Sequence, residues 1–347
     1  SINPSSMCNP TKAAPPARPP KKSHSLLLTT ESFGPAIDAE EYVKKNDGDA
    51  ASTSSTSIAA KIDQAHLAPT MLSTVLTIGV VCMILLGLEH GLRYVFEQYK
   101  HYHPLFEVEH NRNVLARHIG VDAMACLAVA LVGLRNLHIL DDLKHHTLGY
   151  GASGGGSSSS TMSEDGYDKR MFTYHPASQQ VLLLFFAYQV KNTYDSYVWN
   201  DGIIFILHHI LSGVTAWGAM YPGCAHFYAL FFMGISEVST AVLCLLANFD
   251  DEFGVIGLGD AFPMTKVALG GVFAVAFVIC RTVLWPICTY HFLRDSKNAL
   301  KSTSPMAQSR KKWIRLFMFC SVGLSILQVI WLGQIVWTIK EEVEKMM

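Results

Sequence analysis

Two long apolar runs lie next to each other in the middle of the chain, at residues 203–221 and 226–247. Each is close to the ~20 residues that an α-helix needs to cross a hydrocarbon layer of ~30 Å. The first run contains an adjacent pair of histidines, His208 and His209, and the second contains a carboxylate, Glu237. Because an ionisable group at bilayer depth costs at least ~2.5 kcal/mol on insertion scales, these residues indicate a functional or structural need for them.

The composition is that of a membrane protein with several spans. Of the 347 residues, 50% are hydrophobic and only 16% are charged, and the formal net charge of −1 gives no electrostatic case for nucleic acid. Further apolar runs lie at about 69–94, 114–134, 180–199, 266–292 and 313–339. The sequence therefore predicts an all-α fold, a multispanning transmembrane helical bundle of about seven spans. The range is six to eight, because the run at 180–199 is unusually polar.

The segments around these runs suggest a domain organisation. Residues 1–68 are predicted to form a disordered N-terminal tail, since they can bury little apolar surface. We assign 69–112 to a first transmembrane helix and its connector, 113–339 to the main transmembrane domain, and 340–347 to a short charged tail. A Gly/Ser-rich insertion at 149–166 is predicted to be a linker. The basic connector at 293–312 is expected on the cytosolic side.

The polar run at 180–199 carries two opposite charges on one helical face. Lys191 and Asp195 are four residues apart, so they are predicted to form an ion pair. The following sequence, Asn200-Asp201-Gly202, is typical of a turn that reverses the chain into the run with the histidine pair.

The two histidines of the pair are predicted to face different directions. His208, Ser212 and Thr215 recur at spacings of four and three residues and therefore share one stripe of a helix. His209 faces about 100° away from that stripe.

Small and hydroxylated residues follow one face of the run at 226–247. Glu237 and Thr240 share this face, and Ser236 lies beside it. Such residues let helix backbones approach closely and form hydrogen bonds between helices. The face is therefore predicted to pack against other helices.

An arginine, Arg281, lies deep within the apolar run at 266–292. A guanidinium at that depth must face the bundle interior and find a partner. The available carboxylates are Glu237, Asp195 and Asp122. Glu237 is the first choice, because it and Arg281 both lie near the middle of their helices.

Four segments in chain order carry a family resemblance. They are YDSYVWNDGIIFILHHILSG, FFMGISEVSTAVLCLLANF, AFVICRTVLWPICTY and LQVIWLGQIVWTI. Together they resemble the TLC-domain (TRAM/LAG/CLN8-like) membrane proteins, a family that includes the ceramide synthases. The resemblance implies a bundle of about six helices around a lipid-accessible cavity, usually in the endoplasmic reticulum or another endomembrane.

The resemblance is closer to the TLC domain-containing proteins than to the true ceramide synthases. In the synthases the adjacent histidines lie in the acyl-transfer site, with a later His-Asp pair and a further Asp. His208 and His209 match the first element, but Ile235, Ser236 and Ser239 occupy the later positions. Proteins of the non-synthase branch are linked to membrane lipid composition.

The first function hypothesis is a membrane protein that binds lipid in a bundle cavity and contributes to membrane lipid homeostasis or composition. The expected partners are membrane lipids, with sphingolipids among them, and a homo-oligomer is left open. No cofactor, metal or nucleic acid is expected. The lipid- or substrate-binding residues would be Ser212, Ser236, Glu237, Thr240 and Arg281.

The alternative is a ceramide-synthase-like N-acyltransferase that joins a sphingoid base to the acyl group of acyl-CoA, its co-substrate. His208 or His209 would act as general base or nucleophile, and Asp195 would orient the ring. A haem protein with ligands on separate helices, such as His118 and His208, is a third class. A fourth is a purely structural network of buried polar groups that sets the helix register.

Overall fold

The computed structural model describes residues 68–141, 143, 166–250 and 252–346. The predicted tail and Gly/Ser insertion lie outside the described residues, apart from Ala68 and Gly166. Seven long helices make up most of the described chain, and no strand occurs among these residues. They are α1 (Met71–Gln98), α2 (Glu109–Arg135), α3 (Pro176–Trp199), α4 (Ile203–Tyr221), α5 (His226–Phe249), α6 (Pro263–Lys301) and α7 (Pro305–Met346). The predicted all-α bundle is confirmed.

Six of these helices are long and apolar enough to cross a membrane, and α3 is the exception. This helix has 24 residues, which is sufficient length, but it carries Lys191 and Asp195 in its second half. Its charged groups are nevertheless buried inside the protein, with Lys191 5% exposed and Asp195 5% exposed. The outer helices α1 and α6 instead expose many apolar side chains, as a surface in contact with lipid requires.

The turn between α3 and α4 forms as the sequence predicts. Asn200 adopts a left-handed conformation with φ of 60°, and Gly202 has φ of 105°. Asparagine and glycine are the residues that reach positive φ at the lowest cost. The reversal brings α4 back along α3, and so places the histidine pair against the polar half of α3.

The predicted connector at 293–312 is mostly helical, which corrects the sequence-based boundary. Helix α6 continues to Lys301 and α7 begins at Pro305, so only residues 302–304 separate them. The reason is that Asp295, in the middle of the predicted connector, is fully buried against Arg170 and Tyr228. At the other end of α7, the helix continues through the predicted charged tail to Met346.

Helix α3 occupies the interior and packs on α1, α2 and α4, while α5 packs on α2 and α6, and α7 packs on α4 and α6. Helices α2 and α5 approach each other closely at Gly133 of α2 and Gly234 of α5. A Cβ atom added to Gly133 would lie 2.9 Å from the backbone nitrogen of Ile235. Small residues at this crossing therefore let α5 reach the centre of the bundle.

Three helices contain a π-helical turn next to a buried charge. These turns are His118–Ala123 in α2, Phe231–Ile235 in α5 and Val278–Leu284 in α6. A π-turn adds one residue to a helical turn, and it occurs frequently at functional sites. In α6 the turn includes Arg281, and in α5 it ends just before Glu237.

Candidate functional site

A narrow cavity, called the slot below, runs between α4, α5, α6 and α7. Its volume is about 50 Å³. Its lining on α4 extends from His208 to Ala219, which is roughly 16 Å at 1.5 Å per residue, so the cavity is long and thin. The lining is mostly apolar, with Tyr228, Phe292 and Phe317 towards one end.

The other end of the slot is polar. His208 and Ser212 of α4 line it together with Glu237 of α5 and Arg281 of α6. Ser212 is 3% exposed, Glu237 5% and Arg281 6%, so these groups lie inside the bundle and do not face acyl chains of the bilayer. Side chains from three helices therefore converge at this end of the slot.

The predicted pair of Arg281 and Glu237 is present. Arg281 Nη2 donates to Glu237 Oε1 at 2.8 Å. The same Nη2 donates to Thr240 Oγ1 at 2.9 Å, and Nε donates to Ser239 Oγ at 3.2 Å. The guanidinium also lies over the ring of Trp285, 5.1 Å from its centroid. Three side chains within about one turn of α5 thus hold the guanidinium.

The second oxygen of Glu237 is engaged as well. Cys126 Sγ of α2 donates to Glu237 Oε2 at 3.7 Å. The carboxylate therefore connects α2, α5 and α6, and its negative charge is compensated by Arg281. Consequently, the polar end of the slot contains an ion pair with no net charge.

The two adjacent histidines contact different parts of the bundle. Nδ1 of His209 lies 2.7 Å from Oε1 of Gln189 on α3, away from the slot. His208 lines the slot and meets the ring of Trp331 edge to face, with the centroids 5.1 Å apart. The prediction that the two rings face different directions is confirmed, and only His208 reaches the slot.

Asp195, which was expected to orient a catalytic ring, has another partner. It forms the predicted ion pair with Lys191, and Lys191 Nζ also lies 2.6 Å from Glu89 Oε2 of α1. A lysine between two carboxylates stabilises both, so Asp195 is held on the α1 side of α3. The side chain that orients His209 is Gln189 instead.

The remaining predicted residues divide between the slot and the structure behind it. Ser212 lines the slot. Ser236 Oγ donates to the backbone oxygen of Phe232 at 2.7 Å, so its hydrogen bond lies within α5. Thr240 contacts Arg281 but is not part of the lining.

A buried network near the aromatic end of the slot escaped the sequence-based prediction. Arg170 donates to both oxygens of Asp295, from Nε at 2.5 Å and from Nη2 at 2.8 Å. Tyr228, which lines the slot, donates to Asp295 Oδ2 at 2.5 Å. The partners are 125 and 67 residues apart in the sequence, so no local spacing could reveal them.

Another ion pair fixes the turn between α3 and α4. Arg117 Nη2 of α2 lies 2.6 Å from Asp201 Oδ2, and its guanidinium lies over the ring of Trp199. Burial raises the pKa of Asp201, but the hydrogen bond from Arg117 and the positive charge of its guanidinium together outweigh burial and place the pKa below its ordinary value. This pair anchors the helix that carries the histidines.

The comparison with known families agrees with this architecture. A family model described as the TLC domain matches residues 145–337, which is more than half of the chain. No curated protein and no solved structure gives a significant match. TLC domains occur in membrane proteins linked to lipid metabolism or sensing. The chain is an integral membrane protein, with seven long helices among its described residues, and it belongs to the TLC domain family.

Proposed function

We propose that this protein binds a lipid in the slot and thereby contributes to the homeostasis or composition of its membrane. The observation that carries the proposal is the slot itself, a mostly apolar cavity in the bundle interior that has a group of polar side chains at one end. A lipid has the matching division, an apolar chain with a polar head. The link between the TLC domain and lipid metabolism or sensing supports the same conclusion.

The polar side chains suggest how the lipid would lie. His208 and Ser212 would contact the headgroup, and the ion pair of Glu237 with Arg281 would form the wall behind it. The acyl chain would extend towards Tyr228 and Phe292, whose rings offer apolar surface. On the family resemblance we also infer an endomembrane location, the endoplasmic reticulum first, and a sphingolipid as the first ligand to examine.

The experiment is to purify the full chain in detergent and to identify the lipids that remain bound by mass spectrometry. Ala219→Leu would narrow the slot, because Ala219 lines it and is 2% exposed. We expect this variant to retain several-fold less lipid than the wild type. Ala268→Leu is the matched control, since Ala268 of α6 is exposed. Equal retention in both variants would contradict binding in the slot.

A second function, N-acyl transfer, is favoured by one observation. The imidazole of His208 lines the slot, where it could accept the proton of a sphingoid amine as nitrogen bonds to the acyl carbon and the CoA thiolate leaves. Against it, the carboxylate nearest in the slot, Glu237, is paired with Arg281. Lipid binding without transfer is therefore the preferred proposal.

The two functions are separated by incubating the purified protein with sphingoid base and acyl-CoA. If the protein only binds lipid, the wild type and His208→Ala should give the same yield of N-acylated product. Product that forms with the wild type and is lost in His208→Ala would establish the transferase and replace the preferred proposal.

A further inference from the structure

Four buried polar atoms near the polar end of the slot have no hydrogen-bond partner within the described part of the chain. They are Nδ1 of His208, Oγ of Ser321, and both Oε1 and Nε2 of Gln328. Ser321 is 9% exposed and Gln328 5% exposed, so bulk water cannot satisfy them. Since both amide atoms of Gln328 lack a partner, turning the amide over would not remove the deficit.

These atoms lie on facing surfaces of α4 and α7, which pack together. Ser321 and Leu324 line the slot, and Gln328 lies one turn further on the same face of α7. The two helices are antiparallel, because Trp331 of α7 contacts Phe205 and His208 near the start of α4, whereas Trp313 lies against Gly218 near the end of α4. Gln328 is therefore level with His208, at the polar end of the slot.

An unpaired amide or hydroxyl in a protein interior is unfavourable, and such groups in native proteins usually have a bound partner. The segment that contains Gln328, LQVIWLGQIVWTI, is otherwise strongly apolar. Nothing else in the fold uses the amide of Gln328, because no other side chain bonds to it in the described residues. The amide is thus placed where a ligand can complete its hydrogen bonds.

The charge of the site restricts the ligand. The cation nearest this end of the slot, Arg281, is compensated by Glu237 at 2.8 Å. An anionic phosphate at Gln328 would be desolvated without a counter-charge of its own, which is strongly unfavourable. A hydroxyl or an amide, by contrast, both donates and accepts, as Gln328 does.

We infer that Gln328, Ser321 and His208 form a subsite for an uncharged hydrogen-bonding group, a hydroxyl or amide, at the head of a single-chain lipid. The inference rests on the proposed function, because the chain of that lipid would occupy the slot. It adds the class of ligand, an uncharged lipid in preference to a phosphate-bearing one. It also adds two binding residues on α7.

The test uses three photoactivatable probes with the same diazirine-bearing sixteen-carbon chain and the full-length purified protein. One probe ends in a primary amide, one in a phosphate and one in a methyl group. Cross-linked peptides are located by mass spectrometry. We expect the amide probe to label the α4 and α7 peptides about three- to ten-fold more than the other two, as one or two hydrogen bonds to uncharged groups would produce.

Gln328→Leu should abolish this preference, and Ser321→Ala should reduce it. Gln334→Leu is the matched control, the same change at an exposed position of the same helix, and it should leave the preference intact. If the amide of Gln328 had only a structural role, its replacement would lower the melting temperature of the ligand-free protein. Here Gln328→Leu should leave that temperature unchanged or higher, because it removes an unpaired buried group.

The outcomes separate this inference from the proposed function. If the amide and methyl probes label the slot equally, or the phosphate probe labels it best, the subsite is wrong while lipid binding stands. The same holds if labelling is unchanged in both Gln328→Leu and Ser321→Ala. If no probe labels the slot peptides, both the subsite and the lipid-binding proposal are wrong.

Discussion

Arg281 of α6 and Glu237 of α5 meet in the bundle interior, with Nη2 of the arginine 2.8 Å from Oε1 of the glutamate. The pair lies beside the slot and holds α5 against α6, while Cys126 ties the same carboxylate to α2. Because each charge compensates the other, neither group is available to a charged ligand without loss of the pair. The contact therefore determines both the helix packing and the chemistry of the slot.

The first prediction concerns the two halves of this pair. Glu237→Ala leaves a buried guanidinium without its counter-charge and should destabilise the protein by about 3–5 kcal/mol. Adding Arg281→Met removes the stranded charge and should recover part of the loss. Thermal unfolding in detergent measures both. A double variant no more stable than the worse single variant would show that the pair is not the important interaction.

The adjacent histidines should have separable effects. His209→Ala removes the partner of Gln189 and leaves a buried amide oxygen unpaired, so it should cost about 1–3 kcal/mol of stability. His208→Ala should cost less stability and should instead lower lipid retention, because His208 lines the slot. Melting temperature and bound lipid, measured on the same samples, distinguish the two. Identical effects of both variants would contradict the separation.

Tyr228→Phe should destabilise the end of the slot opposite the ion pair. The change removes the hydrogen bond to Asp295 while it keeps the ring, and we expect a loss of about 1–3 kcal/mol in the free energy of unfolding. Tyr290→Phe is the matched control, because Tyr290 is 64% exposed. A similar loss in the control, or none in Tyr228→Phe, would contradict a contribution from this network.

Much of this arrangement follows from local sequence pattern. The ion pair of Lys191 with Asp195 has helical spacing, and the turn at Asn200 and Gly202 has residues that tolerate positive φ. Apolar runs in the sequence predict the membrane-spanning helices, because a bilayer requires long, uninterrupted helices. Even Arg281 and Glu237 could be matched, since both lie near the middle of a span.

The remainder depends on contacts between distant segments. Nothing near Asp295 in the sequence indicates that Arg170 pairs with it, so the sequence assigns the last residues of α6 to a connector. In the same way, Gln189 was not expected beside His209, because the rotation of α3 against α4 sets that contact. The unpaired atoms of Ser321 and Gln328 are visible only once the helices are assembled, although their seven-residue spacing was available as a signal.

The pair of Arg117 with Asp201 predicts a loss of stability in acid. The hydrogen bond and positive charge of Arg117 outweigh burial and lower the pKa of Asp201 below the ~3.9 of an unfolded chain, so the stabilising contribution is complete above that value. It is lost as the pH falls through the lower pKa of the folded state. The stability difference between wild type and Asp201→Asn should therefore shrink below about pH 4. Asp260→Asn, at an exposed position, serves as the control for general acid effects in the same unfolding series.

Replacing glycine by alanine should have different effects at Gly133, where α2 crosses α5, and at Gly87 of α1. An alanine Cβ at position 133 would lie 2.9 Å from the backbone nitrogen of Ile235, so Gly133→Ala must push the helices apart and should lower the melting temperature. At Gly87 of α1 no atom lies within 4 Å of an added Cβ. Gly87→Ala should therefore leave stability unchanged or raise it by up to about 1 kcal/mol, since alanine is the better helix former. Gly234 lies three residues before Glu237, so Gly133→Ala should also reduce lipid retention. A Gly133→Ala variant with the melting temperature and the lipid retention of the wild type would show that the crossing is not closely packed.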